Sequence, residues 1–114
     1  MKQHKLIVDF DETIAINTTP GDEHNIFEYA WPNKALIEKL NYYKNNGYSI
    51  VIYTSRGMLS CNNDAEKAKQ KYKKVMVEWL NRNNVIFDEI IFGKPFGDLY
   101  IDDKAITPED FIKM

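Results

Sequence analysis

Short apolar runs and longer segments of helical spacing alternate along this chain. Residues 5–10 carry Leu6, Ile7 and Val8 together and stop at acidic residues. Lacking polar alternation, the run predicts a strand buried on both faces, as in a parallel sheet. Residues 48–53 repeat the pattern, since Ile50, Val51, Ile52 and Tyr53 favour a strand and end at Thr54, Ser55 and Arg56. Two further strands are predicted, over 89–92 ending at Gly93 and Lys94, and over 99–101 ending at Asp102 and Asp103.

Between the first two strands, 32–46 has helical spacing, with Ala35, Leu36, Leu40 and Tyr43 on one stripe, Pro32 suited to the first turn and Gly47 to the stop. A second helix is predicted over 64–83. There Ala65, Ala68, Tyr72, Val75, Met76, Trp79 and Leu80 recur at three and four, and Asp64 suits the N-cap. Residues 107–111 read as a capped helical turn. Strand, helix, strand, helix, strand, strand implies right-handed parallel crossovers and an α/β fold, a doubly wound sheet with helices on both faces. Ligands of such sheets sit beyond the carboxyl ends of the strands. Every polar cluster named so far lies at such an end.

Composition narrows the function classes. A chain of 114 residues, 44% apolar and 28% charged, reads as one globular domain, 1–114. A formal net charge of -2 supplies no basic field for nucleic acid or an anionic membrane. No apolar stretch approaches the roughly 20 residues needed to cross a bilayer. Cys61 is the lone cysteine, so no internal disulfide forms, and the start runs into a strand without a signal-peptide core. The expectation is a cytoplasmic protein acting on a small ligand, with Cys61 inert.

Asp9 and Asp11 directly follow the first strand, and a sharp turn at Asp11, Glu12 and Thr13 directs both carboxylates to one site; otherwise they merely end a strand in solvent. Thr54 can give its hydroxyl to a phosphoryl oxygen, helped by the amides of the following turn. Lys94, between Gly93 and Pro95, offers a fixed positive charge or a solvated side chain. Asp102 and Asp103 are adjacent like charges, which repel unless a cation or lysine lies between them. Carboxylate and carbonyl oxygens are hard ligands that suit Mg²⁺.

Taken in order, Asp9-Phe10-Asp11-Glu12-Thr13, Thr54, Lys94 and Asp102-Asp103 resemble the four motifs of haloacid dehalogenase-like (HAD) phosphatases across nearly the whole chain. The resemblance implies a Rossmann-like sheet, a Mg²⁺ cofactor and hydrolysis of a phosphate monoester through an aspartyl phosphate. It makes Asp9 the nucleophile and Asp11 the general acid-base, the Asp11 carbonyl also binding Mg²⁺. Phe10, Thr54, Ser55, Arg56 and Lys94 fall at the phosphate. Asp9, Asp11, Asp103 and Asp102 fall at the metal, with Asp103 the direct ligand and Asp102 paired to Lys94, or the two exchanged. Such an attack brings an anionic carboxylate to an anionic phosphate, so Mg²⁺ and Lys94 must first neutralise the site. One departure stands out: the family often has Gly where this chain has Glu12, whose side chain either narrows the entrance or points outward.

The intervals between motifs leave no room for a cap domain, only a short flap over 14–31 holding His24 and Trp31. Capless relatives close the site with a large substrate or a neighbouring subunit, so a homo-oligomer is among the expectations. The stretches around Thr54 and from Gly93 to Ala105 resemble small phosphatases found with capsular-polysaccharide genes, which implies a phosphorylated sugar, polyol or amino alcohol. Arg56 is placed either to grip a second anionic or hydroxyl group or to rest in an ion pair. A phosphate-signalling receiver also uses aspartates, Thr and Lys on a parallel sheet, but its acidic pair comes first and its lone aspartate later. A non-catalytic binding protein of the same fold remains the other alternative.

Overall fold

In the computed structural model, residues 4–18 and 30–114 are described; His24 and most of the expected flap lie outside them. The elements in chain order are β1 (His4–Val8), β2 (Ala15–Ile16), β3 (Trp31–Pro32), α1 (Lys34–Asn45), β4 (Tyr48–Thr54), α2 (Ala65–Arg82), β5 (Glu89–Phe92) and α3 (Pro108–Ile112). Strands β1, β4 and β5 form a parallel sheet in that order, and β2 pairs with β3 antiparallel at the base of the flap. The α/β parallel architecture is the one the apolar pattern calls for.

Register explains the core. Leu6 sits beside Ile50, and Val8 beside Ile52, which in turn faces Ile90. Because side chains alternate along a strand, these residues share one face and pack with Leu36, Ile37 and Leu40 of α1 and with Ala68, Tyr72, Met76, Trp79 and Leu80 of α2. Ala35 and Val75, expected on the helical stripes, are exposed instead. Asn33 rather than Pro32 starts α1: Pro32 is held in β3, and the Asn33 side chain accepts from Leu36 N–H at 3.3 Å. Asp64 caps α2 as expected, accepting from the Glu66 and Lys67 amides at 3.1 Å. Thr107 caps α3, which sets Phe111 against Tyr43.

Two expectations need correction. Among the described residues, 99–101 form no strand. The Tyr100 hydroxyl donates to Pro95 O at 2.8 Å and accepts from Gly97 N–H at 3.1 Å, while Asp102 accepts from Lys104 N–H at 2.9 Å. Local turns thus hold both sides of the run, and Leu99 and Ile101 stand 80% and 96% exposed. As a consequence β1 is a sheet edge among the described residues rather than an interior strand, and Ile7 is 65% exposed. No helix of the described residues is long and apolar enough to cross a membrane.

Candidate active site

Parallel strands deliver their carboxyl ends to one side, so Asp9 after β1, Thr54 ending β4 and Lys94 after β5 emerge as neighbours. The Lys94 amide donates to Thr54 O at 3.1 Å. Its ammonium stands 3.5 Å from Asp9 Oδ1 and 4.2 Å from the centre of the Tyr100 ring. Burial holds the Asp9 carboxyl above its ordinary range of about 3.8, against the opposing pull of Lys94 and of the Phe10 N–H, with Asp11 adding to the rise. Thr13 Oγ1 reaches Asp9 Oδ2 at 3.5 Å.

The turn after β1 is built on one carbonyl. Phe10 O accepts from the amides of Thr13, Ile14 and Ala15 at 3.0–3.2 Å, winding the chain tightly so that Asp11 returns beside Asp9. The Phe10 side chain is fully buried and meets Trp79 edge-on with 5.5 Å between ring centres. Only its main chain is therefore available to a phosphate. Glu12 adopts a left-handed conformation, φ +58°, where a family glycine would be unstrained. Its carboxylate turns to Thr18, accepting from the amide at 2.7 Å and from the hydroxyl at 3.1 Å. The side chain braces the outgoing loop.

Thr54 is fully buried, and its Oγ1 accepts from Arg56 N–H at 3.0 Å. Ser55 O accepts from Met58 N–H at 3.0 Å, closing the turn. Gly57 follows at φ +85°, where a Cβ would lie 2.8 Å from Ala68 Cβ and 2.9 Å from Tyr72. Helix α2 can approach this loop only because residue 57 lacks a side chain. Arg56 is thereby laid 5.7 Å from the Tyr72 ring centre, and its guanidinium forks onto Asp11: Nε donates to Oδ2 at 3.2 Å, and Nη2 donates to Oδ1 and to Thr18 O. Of the two placements open to Arg56, the ion pair is the one formed here.

Asp102 and Asp103 do not join this group. Both are exposed, the Lys104 N–H and the neighbouring Asp103 hold the Asp102 carboxyl below its ordinary range, and Lys94 pairs with Asp9 instead of Asp102. Among the described residues no three His, Cys, Asp or Glu side chains gather to hold a metal ion. Among the described residues Asp9 and Asp11 stand together, and one or two carboxylates with water and phosphate oxygens are the donors Mg²⁺ usually takes. Sequence reading missed Thr13 beside the Asp9 carboxylate, the Glu12–Thr18 brace and Asn33, whose Nδ2 donates to Thr13 O at 3.1 Å. Only the last left a trace, an amide side chain directly before a helical stripe.

No curated protein matches the chain. A crystal structure of a target protein from Vibrio cholerae superposes with a TM-score of 0.88 at 34% identity, covering 98% of this chain and 89% of that one. The family model for polynucleotide kinase 3 phosphatase matches residues 5–91, the span from β1 through β5 that holds Asp9, Asp11, Thr54 and Arg56. A match over that much of the sequence, on a parallel α/β framework, places the chain in the polynucleotide kinase 3 phosphatase family of HAD-like proteins.

Proposed function

We propose that the chain is a Mg²⁺-dependent phosphatase that hydrolyses a small phosphate monoester through an aspartyl phosphate on Asp9. The observation that carries this reading is the half-buried Asp9 carboxylate, paired with Lys94 and flanked by Asp11 at the carboxyl end of the sheet. Asp9 attacks phosphorus in line, and the P–O bond to the leaving group breaks as Asp11 gives that oxygen a proton. Asp11 then takes a proton from water, whose oxygen displaces Asp9 and releases inorganic phosphate. Lys94 offsets the charge brought by the phosphoryl group. Thr54 and the Ser55 amide lie at the end of β4, where the phosphoryl group would approach. Mg²⁺, when bound, would be held by Asp9 and by Asp11 and would offset the charge of the phosphoryl group.

Likeness to phosphatases encoded with capsular-polysaccharide genes makes a sugar, polyol or amino-alcohol phosphate the first substrate to test. A second reading, a 3′-phosphorylated polynucleotide, is favoured by the family's description, while the net charge of -2 weighs against it. The test is phosphate release from an aryl phosphate and from a panel of phosphorylated sugars, polyols, amino alcohols, nucleotides and a 3′-phosphorylated oligonucleotide. Each is run with and without Mg²⁺, and with Asp9→Asn. Turnover that needs Mg²⁺ and vanishes in Asp9→Asn supports the reading; turnover that survives the substitution removes it.

A further inference from the structure

The base of the flap meets the turn that carries Asp9, and Asn33 is where the two are joined. We propose that Asn33 is a positioning residue for Asp9, holding the turn over 10–15 through the Thr13 carbonyl, a role separate from the cap it gives α1. The proposal rests on Asp9 being the nucleophile.

Every polar group of Asn33 has a partner. Its N–H donates to Ile14 O at 2.8 Å and its Nδ2 to Thr13 O at 3.1 Å, while Oδ1 accepts from Leu36 N–H at 3.3 Å and its carbonyl from Ile37 N–H at 3.0 Å. The last two begin α1, and an Asp or Ser at this position would make them as well. The first two serve no helix. They grip consecutive carbonyls of the turn that winds on Phe10 O. Only a side chain that accepts with one atom and donates with another can cap α1 and hold Thr13 at once.

Thr13 links this clasp to the chemistry. Its hydroxyl reaches Asp9 Oδ2 at 3.5 Å, and Lys94 stands 3.5 Å from Oδ1, so each carboxylate oxygen has its own tether. Releasing the Thr13 carbonyl loosens the tether on Oδ2. The neighbouring residues are fastened independently: Trp79 Nε1 donates to Ala30 O at 3.3 Å, the Trp79 ring meets Phe10 edge-on, and Trp31 and Pro32 pair with Ile16 and Ala15. Loss of the Asn33 side-chain amide therefore leaves the base of the flap standing while it releases Thr13.

Asn33→Asp and Asn33→Ser keep a capping oxygen and lose the donor to Thr13. Each should fold with wild-type circular dichroism and hydrolyse an aryl phosphate with kcat lowered about ten- to a hundredfold and KM within about twofold, since misplacing a reacting atom by about 1 Å costs about a hundredfold in rate. Thr13→Val should lower kcat too, and joined to Asn33→Ser it should lose far less than the product of the two single losses. A readout that needs no turnover is the ¹³C carboxyl spectrum of the aspartates at neutral pH. The Asp9 line, identified by its absence from Asp9→Asn, should shift in Asn33→Ser and in Thr13→Val. Full kcat in both Asn33 variants, losses that multiply in the double variant, or an Asp9 line unmoved in Asn33→Ser overturns the proposal and leaves Asn33 a helix cap. If the wild type turns nothing over, the phosphatase reading fails, and the Asp9 line still decides this one.

Discussion

Removing the charge of Lys94 gives the most direct measure of how the site treats its nucleophile. At 3.5 Å, a pair of unit charges attracts by about 1 kcal/mol at the dielectric of water and about 5 kcal/mol at an effective value near 20. The side chains are 17% and 31% exposed, which places the pair between these limits. Burial already holds Asp9 above about 3.8, with Lys94 pulling the other way. Lys94→Met therefore lets the carboxyl rise further, and the acid limb of kcat/KM moves to higher pH. Since each 1.4 kcal/mol is about tenfold in rate, the variant should also lose at least tenfold near neutrality, where Lys94 offsets the incoming phosphate. The assay is aryl-phosphate hydrolysis across about pH 4 to 8, beside Lys94→Arg as the charge-keeping control. An acid limb that stays in place in the Met variant, or moves equally in the Arg variant, refutes the reasoning.

Asp9→Asn should unfold at a higher temperature than wild type at neutral pH while losing turnover. A carboxyl raised in the folded state weakens the fold as pH climbs through its titration, and the amide escapes that cost; equal melting at neutrality contradicts this. Glu12→Gly removes a left-handed strain of about 1 kcal/mol but forfeits both Thr18 bonds, so urea unfolding should show a net loss of about 1–2 kcal/mol. Gly57→Ala combines φ +85° with overlap on Ala68 and Tyr72, whereas Gly47→Ala at φ +92° meets nothing within 4 Å. The first should therefore cost about 1–3 kcal/mol more than the second in the same titration. Asp88 accepts from Lys44 and from Ile50 N–H, which lower its carboxyl; its contribution is present above about 3.8 and fades as pH falls through the lowered value. Asp88→Asn should accordingly narrow its gap to wild type in acid melts.

Legibility followed the physics of each signal. The runs at 48–53 and 89–92 and the helix over 64–83 lie within a residue or so of the observed β4, β5 and α2, because apolar periodicity and an Asp64 cap are local properties. Asp9, Asp11, Thr54 and Lys94 could be picked out because a parallel sheet places its strand ends together. The run at 99–101 was misread for an equally physical reason. Its β-prone composition is a local signal, whereas pairing depends on how the flanking turns at Tyr100 and Asp102 carry the run, and they leave Leu99 and Ile101 exposed. The Glu12 brace was hidden because its partner Thr18 is six residues away and neither residue suggests the other.

Arg56 imposes a constraint on any mechanism using Asp11. Its fork occupies both carboxylate oxygens, so neither oxygen is free to reach a leaving group while the fork is closed. On the proposed reading, an arriving phosphate must compete with Asp11 for the guanidinium, since the Arg56 N–H is bonded to Thr54 Oγ1 and places the side chain at the end of β4. Substrate binding would then loosen Asp11 at the moment an acid is needed, and water alone would leave it locked. The same logic explains why the loop is built so stiffly. Gly57 lets α2 press Tyr72 under Arg56, and the Glu12–Thr18 brace holds a carbonyl that takes a further guanidinium contact, so the fork can yield to a phosphate without the loop moving.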